Sequence, residues 1–196
     1  IVESKSLKLY LNSFHHQRFD SVDEVSTRVQ QDLSNVLGQG VSVDIYPSTE
    51  NQFTNDDPYQ VILLDKLDLR EFRYKRDASL LVNDESFPAV KNEILRSHLL
   101  RSVCPITNQP DWGSLTIRYS GPVIQKEGLL RYIVSFRQHD GFHEQCVEQI
   151  YSDLMRQCQT THLTVCAQYT RRGGIDINPI RSNHSEPFPL NRLWRQ

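Results

Sequence analysis

The sequence has no Cys-x-x-Cys pair, no glycine-rich phosphate loop, no long apolar run and little net charge, and each absence removes a class of function. Its four cysteines, Cys104, Cys146, Cys158 and Cys166, are unpaired in spacing, and three of them fall in segments of clean helix or strand periodicity. They read as free thiols of a reducing cytoplasm, not as a disulfide framework or a zinc cluster. With only 8 glycines and no Gly-x-Gly-x-x-Gly after a strand, a Rossmann dinucleotide site is not expected. No His/Cys/Asp cluster has the spacing of a catalytic zinc site, so no metal is expected. No apolar run approaches the length of a membrane span. A net charge of -2 gives no bulk attraction for nucleic acid or an anionic membrane, so neither is an expected partner.

What is present is strong patterning. Leu7, Tyr10, Leu11 and Phe14 recur at i, i+3, i+4 and i+7, which predicts an amphipathic helix over residues 4–14. Ser21 and Glu24 form a capping box for a second helix. Val22, Val25, Val29, Leu33 and Val36 supply its apolar face, and Gly38 ends it. Val41, Val43 and Ile45 alternate as a half-buried strand, and residues 47–58 read as a polar loop. Residues 61–74 and 87–103 look mostly extended, and Leu115, Ile117 and Tyr119 mark another strand.

The helix–helix–strand unit then returns at an offset of 122. Leu7 falls on Leu129, Tyr10 on Tyr132, Leu11 on Ile133 and Phe14 on Phe136. Val25 falls on Val147, Leu33 on Met155, Val36 on Cys158, and the strand on Leu163, Val165 and Ala167. One offset without a gap reads as duplication, although two unrelated α+β modules would also satisfy the periodicity. The expected domains are residues 1–60 and 61–196. Strands precede the second unit but not the first, and Ile1 is not an initiator methionine. The natural chain is therefore expected to extend N-terminally by several tens of residues, supplying an opening hairpin.

Chemistry should sit where the copies differ. Glu3-Ser4-Lys5 opens the first helix, as a solvated start complementing the dipole or as a binding element. His143-Glu144 opens the second helix of the second copy and carries the same two readings. Cys104 lies where a strand gives way to a turn, Ser102-Val103-Cys104-Pro105-Ile106-Thr107, and Asp111 follows in a Pro/Gly turn. Cys104 is either a buried small hydrophobe or a nucleophile, and Asp111 either bonds its own backbone or returns a carboxyl to the cysteine. Arg171-Arg172-Gly173-Gly174 is a charged strand end or a phosphate cradle.

Together these segments resemble the 7-cyano-7-deazaguanine reductases: ESKSLKLY from Glu3 to Tyr10, the block from Cys104 to Ser114, FHEQCVE from Phe142 to Glu148, and YTRRGGIDINPIR from Tyr169 to Arg181. The similarity spans nearly the whole chain, is weakest over residues 47–92, and follows the block order of the long, two-module subfamily. It implies an α+β tunnelling fold, in which antiparallel sheets carry two helices on one face and associate into barrels, here in a homo-oligomer, a dimer. It implies reduction of the nitrile of a small 7-deazapurine to a primary amine in queuosine biosynthesis, taking four electrons from two NADPH. By the same resemblance Cys104 is the nucleophile and Asp111 the acid. Val2, Glu3, Ser4, His143 and Glu144 touch substrate, and Ser4, Lys5, Arg172 and Gly173 hold NADPH. As an acid, Asp111 needs desolvation or an anionic neighbour. The alternatives are a metal-dependent purine or pterin cyclohydrolase of similar fold and a non-catalytic purine-binding module.

Overall fold

A computed structural model describes residues 2–14, 17–46, 60–189, 191–193 and 195–196, so the loop expected at 47–58 lies outside the described residues. The chain divides into two compact units, Ile1–Thr54 and Asn55–Gln196.

The first unit holds helices α1 (Ser4–Ser13) and α2 (Val22–Leu37). Ser21 caps α2: its Oγ accepts the Glu24 N–H at 3.1 Å, while the Glu24 carboxylate reaches back to the Asp20 N–H at 3.0 Å. Gly38, at φ 67°, ends the helix and returns its N–H to Ser34 O at 2.9 Å. Tyr10 Oη donates to Asp32 Oδ2 at 2.8 Å and ties the two helices together. The strand expected at Val41, Val43 and Ile45 is not formed. A strand needs a ladder partner, and the described residues of this unit contain no other strand. The segment instead follows α2, with Ser26 Oγ donating to Val43 O at 2.7 Å and the Val41 N–H donating to Ser34 Oγ at 3.1 Å.

The second unit is a five-stranded sheet in the order β1-β2-β3-β4-β5. Its strands are β1 (Ile62–Leu63), β2 (Val90–Val103), β3 (Pro110–Gly121), β4 (His162–Tyr169) and β5 (Ile180–Ser182). All neighbours are antiparallel except β1, which runs parallel to β2. Helices α3 (Lys126–Ser135) and α4 (His143–Cys158) join β3 to β4. Every second residue of β3 and β4 is fully buried against the helices: Leu115, Ile117 and Tyr119, then Leu163, Val165 and Ala167. The α4 stripe of Cys146, Val147, Ile150, Leu154 and Cys158 is also fully buried, at about 1.5–3 kcal/mol for each Val, Leu or Ile. The α+β class is as expected.

Residues 61–74, expected to be mostly extended, pair only at Ile62 and Leu63 and then turn through a short 3-10 segment, Leu64–Lys66. The turn has a purpose in the sheet. Asp65 accepts the Ser97 hydroxyl at 2.6 Å and the His98 N–H at 2.9 Å where the β2–β3 register breaks between Ser97 and Leu100.

The repeat is visible but is not gapless. α1 and α3 keep the offset of 122, yet the second helices do not. Tyr132 Oη donates to Asp153 Oδ2 at 2.6 Å, reproducing the Tyr10–Asp32 latch, but its partners are 21 residues apart against 22 in the first unit. Asp32 thus corresponds to Asp153, Val29 to Ile150 and Leu33 to Leu154, and the connection between the helices is one residue shorter in the second unit. Burial differs as well. Leu129, Tyr132, Ile133 and Phe136 are fully buried, whereas in the first unit Val29 is the one buried hydrophobic among the described residues.

Gly128 fixes how closely α3 approaches the turn at Ala78–Leu80, since a Cβ there would lie 2.3 Å from Leu80 O. Gly128→Ala should therefore destabilise by about 1–3 kcal/mol through overpacking, against a helix-propensity gain of up to about 1 kcal/mol. A denaturation midpoint that rises in the variant would contradict this close approach.

Candidate active site

Cys104 follows the last residue of β2 and opens a tight turn. The Asn108 N–H donates to Cys104 O at 2.8 Å and the Cys104 N–H to Gln109 O at 2.9 Å, with Asn108 in the left-handed region at φ 54°. The cysteine is 6% exposed and free, as are the other three. Its environment is unlike theirs. Burial pushes Cys146 up to about 11 and Cys158 and Cys166 up to about 12. Burial also pushes Cys104 up, but the Thr107 hydroxyl and the N–H groups of Thr107 and Ile106 donate to its sulfur and outweigh it. The Cys104 thiol thus lies below its ordinary value even though the nearby Asp111 carboxylate acts in the opposite direction.

Asp111 is 3% exposed, at the start of β3 and opposite Ser102 of β2. Its Oδ1 faces the Arg172 guanidinium and, at 3.3 Å, His143 Nε2. Both approaches are ion-pair contacts to the same buried oxygen, and neither is aligned as a hydrogen bond. The desolvation expected of the acid is present, and its nearest ionic partner is a cation.

The start of α4 is held beside this cysteine by the end of β2. Val103 pairs with Pro110 on one side, and on the other its N–H donates to His139 O at 2.9 Å and its carbonyl accepts the Gly141 N–H at 3.1 Å. His143 is buried with its ring 4.0 Å from the Tyr169 ring. Glu144, half-buried in the first turn of α4, has no hydrogen-bond or ion-pair partner among the described residues. Back-capping is done by Gln145, whose Oε1 accepts the Phe142 N–H at 3.1 Å, so the helix does not need Glu144 for it.

Arg172 and Gly173 lie on a two-residue hairpin. Arg172 and Ile175 exchange both backbone hydrogen bonds at 3.1 Å, and Gly173 and Gly174 take φ values of 57° and 85°, as a type I′ turn requires. The glycines thus have a backbone reason to be there. Arg172, expected at the cofactor, is engaged by Asp111 and Pro110 O, while Arg171 lies 3.6 Å from Asp176.

The structure thus brings together Cys104, Asp111, His143 and Arg172, with Glu144 and Gly173 adjoining them in sequence. Val2, Glu3, Ser4 and Lys5 belong to the first unit. There Glu3 Oε2 accepts the Ser6 N–H at 2.8 Å and its hydroxyl at 3.0 Å, capping α1. Sequence reasoning missed Thr107, although a hydroxyl three residues after a cysteine in a proline turn was a readable signal. It also missed Tyr169, which looks like any buried aromatic of a strand until its ring meets His143. A cavity of about 660 Å³ lined by Trp112, Arg137, Gln168, Thr170 and Arg195 adjoins this strand end, but none of Cys104, Asp111, His143 or Glu144 lines it. Among the described residues, no group of three or more His, Cys, Asp or Glu side chains could hold a metal ion.

Residues 1–45 match the family described as nitrile reductase, 7-cyano-7-deazaguanine-reductase N-term, and residues 110–187 match the family described as QueF-like protein. Over its whole length the chain is 51% identical to the NADPH-dependent 7-cyano-7-deazaguanine reductase of Burkholderia orbicola (strain MC0-3), and it spans 72% of that protein. It is 50% identical to the enzyme of the same name from Paraburkholderia phymatum, again over 72% of its length. A solved structure, the archaeosine synthase QueF-Like in the apo form, is similar with a TM-score of 0.44 and 19% identity over 52% of this chain and 99% of that one, too distant to bear on the site. The chain belongs to the family of NADPH-dependent 7-cyano-7-deazaguanine reductases.

Proposed function

We propose that this chain reduces the nitrile of 7-cyano-7-deazaguanine to the primary amine 7-aminomethyl-7-deazaguanine, with NADPH as reductant, within queuosine biosynthesis, and that Cys104 is its nucleophile. The observation that carries the assignment of Cys104 is its place in the donor-lined turn beside Asp111, alone among four free cysteines in having its thiol lowered. A nitrile carbon is a modest electrophile, for which a thiolate is the most suitable side-chain nucleophile. The Cys104 sulfur forms a C–S bond, one π pair of the nitrile moves to nitrogen, and that nitrogen takes its proton by way of Asp111. His143, in contact with Asp111 Oδ1, is placed to relay protons to it. Glu144, unpaired among the described residues, accepts the adjacent N–H groups of the deazaguanine edge.

NADPH supplies hydride in each of two rounds, four electrons in all. The hairpin residues fit such a group: the consecutive Gly173 and Gly174 N–H groups are left out of the turn's own hydrogen bonds, and a Cβ at Gly174 would meet nothing within 4 Å. Arg172 and Gly173 hold the cofactor in this reading. Val2, Glu3 and Ser4 at the substrate, and Ser4 and Lys5 at the cofactor, rest on the family resemblance. When the C–S bond breaks, the turn at Cys104 receives the thiolate back. The reading includes two tunnelling-fold modules, residues 1–60 and 61–196, the second carrying the nucleophile, and a cytoplasmic homodimer. The free thiols support that compartment.

Incubation with the nitrile and no NADPH should raise the intact mass by one substrate, and Cys104→Ala should abolish the adduct. An adduct that survives in Cys104→Ala would place the nucleophile elsewhere. Glu144→Gln should weaken nitrile binding by about 1.5–3 kcal/mol, because an amide presents a donor where the purine edge needs an acceptor. Calorimetry showing unchanged affinity would reduce Glu144 to a helix-start carboxylate.

A further inference from the structure

A proton relay works only while its imidazole keeps one orientation, and the contact with Asp111 does not set that orientation alone. His143 Nε2 lies 3.3 Å from Asp111 Oδ1 without the alignment of a hydrogen bond. His143 is also the first residue of α4, where its side chain has no preceding helical turn to lean on. What packs on its ring is Tyr169, which is fully buried, with the ring centroids 4.0 Å apart and the planes tilted by 44°. The strand pairing explains why the tyrosine ring is there. Alternation along β3 puts Asp111, Gly113 and Leu115 on the face that meets the helices, and Tyr169 of β4 is the register partner of Gly113. Gly113 has no side chain, so the Tyr169 ring lies over it: a Cβ there would stand 3.1 Å from Tyr169 Cδ1 and 3.3 Å from Cε1. The tyrosine backbone is held as well, its N–H donating to Ile177 O at 3.2 Å and the Thr170 N–H to Trp112 O at 3.0 Å. Asp111 stands two residues along the same face, and His143 touches both it and the ring.

We propose that Tyr169 is a positioning residue for the reduction: its ring, seated on Gly113, holds the His143 imidazole with Nε2 at Asp111. The assignment rests on the reading of His143 as the relay to Asp111 and goes beyond it in naming what orients the relay. The aromatic ring does this, not the hydroxyl. Phenylalanine should therefore serve at position 169, and an aliphatic side chain should not.

The test measures NADPH oxidation with the nitrile, and the His143 ring-proton resonance without it, in the unsubstituted chain and in Tyr169→Phe, Tyr169→Leu and Gly113→Ala. The resonance is identified by its loss in His143→Gln. Tyr169→Leu should lower kcat by about tenfold to a hundredfold, the loss expected when a proton-transfer group is misplaced, with a smaller effect on KM. It should also move the His143 resonance, because the neighbouring ring current is gone. Tyr169→Phe should restore both. Gly113→Ala keeps every buried side chain but crowds the Tyr169 ring, so it should move the resonance and lower kcat in the same direction. Unchanged turnover in Tyr169→Leu, or a loss in Tyr169→Phe equal to that in Tyr169→Leu, overturns the proposal. If Tyr169→Leu does not fold, unchanged turnover in Gly113→Ala overturns it. The resonance reads the ring contact apart from the chemistry. A chain inactive on the nitrile whose resonance moves in Tyr169→Leu would sink the functional reading and keep the contact, whereas full nitrile turnover in Tyr169→Leu would do the reverse.

Discussion

Taking a carboxylate out of water costs several kcal/mol unless ionic or hydrogen-bonding partners meet it, and the second unit is arranged around one such group. Asp111 is buried at the start of β3, and its partners come from two other elements: Arg172 from the hairpin that follows β4, and His143 from the first turn of α4. Those partners bring the strand end, the helix start and the hairpin to one place. The backbone reinforces it, because Val103 is paired on one side with β3 and bonded on the other to the segment leading into α4. Cys104 is the next residue along. The position of Cys104 is thus fixed by the same contacts that satisfy the buried charge.

Arg172 and His143 face Asp111 Oδ1, and the turn that Cys104 opens is closed by the Asn108 N–H to Cys104 O bond. The other three thiols, deep in the core and pushed upward by burial, are poor competitors for any electrophile.

Much of this was legible in residues whose roles are local. The α1 periodicity, the Ser21 cap, the Gly38 stop and the alternation at Leu115, Ile117 and Tyr119 each depend on neighbours within a few positions, and each appears as expected. Reading failed where a partner elsewhere decides. Val41, Val43 and Ile45 have strand alternation but no strand of their unit to pair with among the described residues, and residues 61–74 turn so that Asp65 can serve a bulge in β2. The one-residue gap between the repeats stayed hidden because apolar residues match at both offsets, until the two tyrosine–aspartate latches distinguished them. Cys104 and Asp111 stood out in sequence by lying at element ends, but the Arg172–Asp111 contact joins residues 61 positions apart and left no local trace.

The central claim is that this chain carries out a four-electron nitrile reduction. The most direct measurement is the ratio of NADPH oxidised to 7-aminomethyl-7-deazaguanine formed when 7-cyano-7-deazaguanine is added, with the amine identified by mass. The account predicts two NADPH consumed for each amine. Amine formation without NADPH oxidation, or no consumption of NADPH with this nitrile, would contradict it.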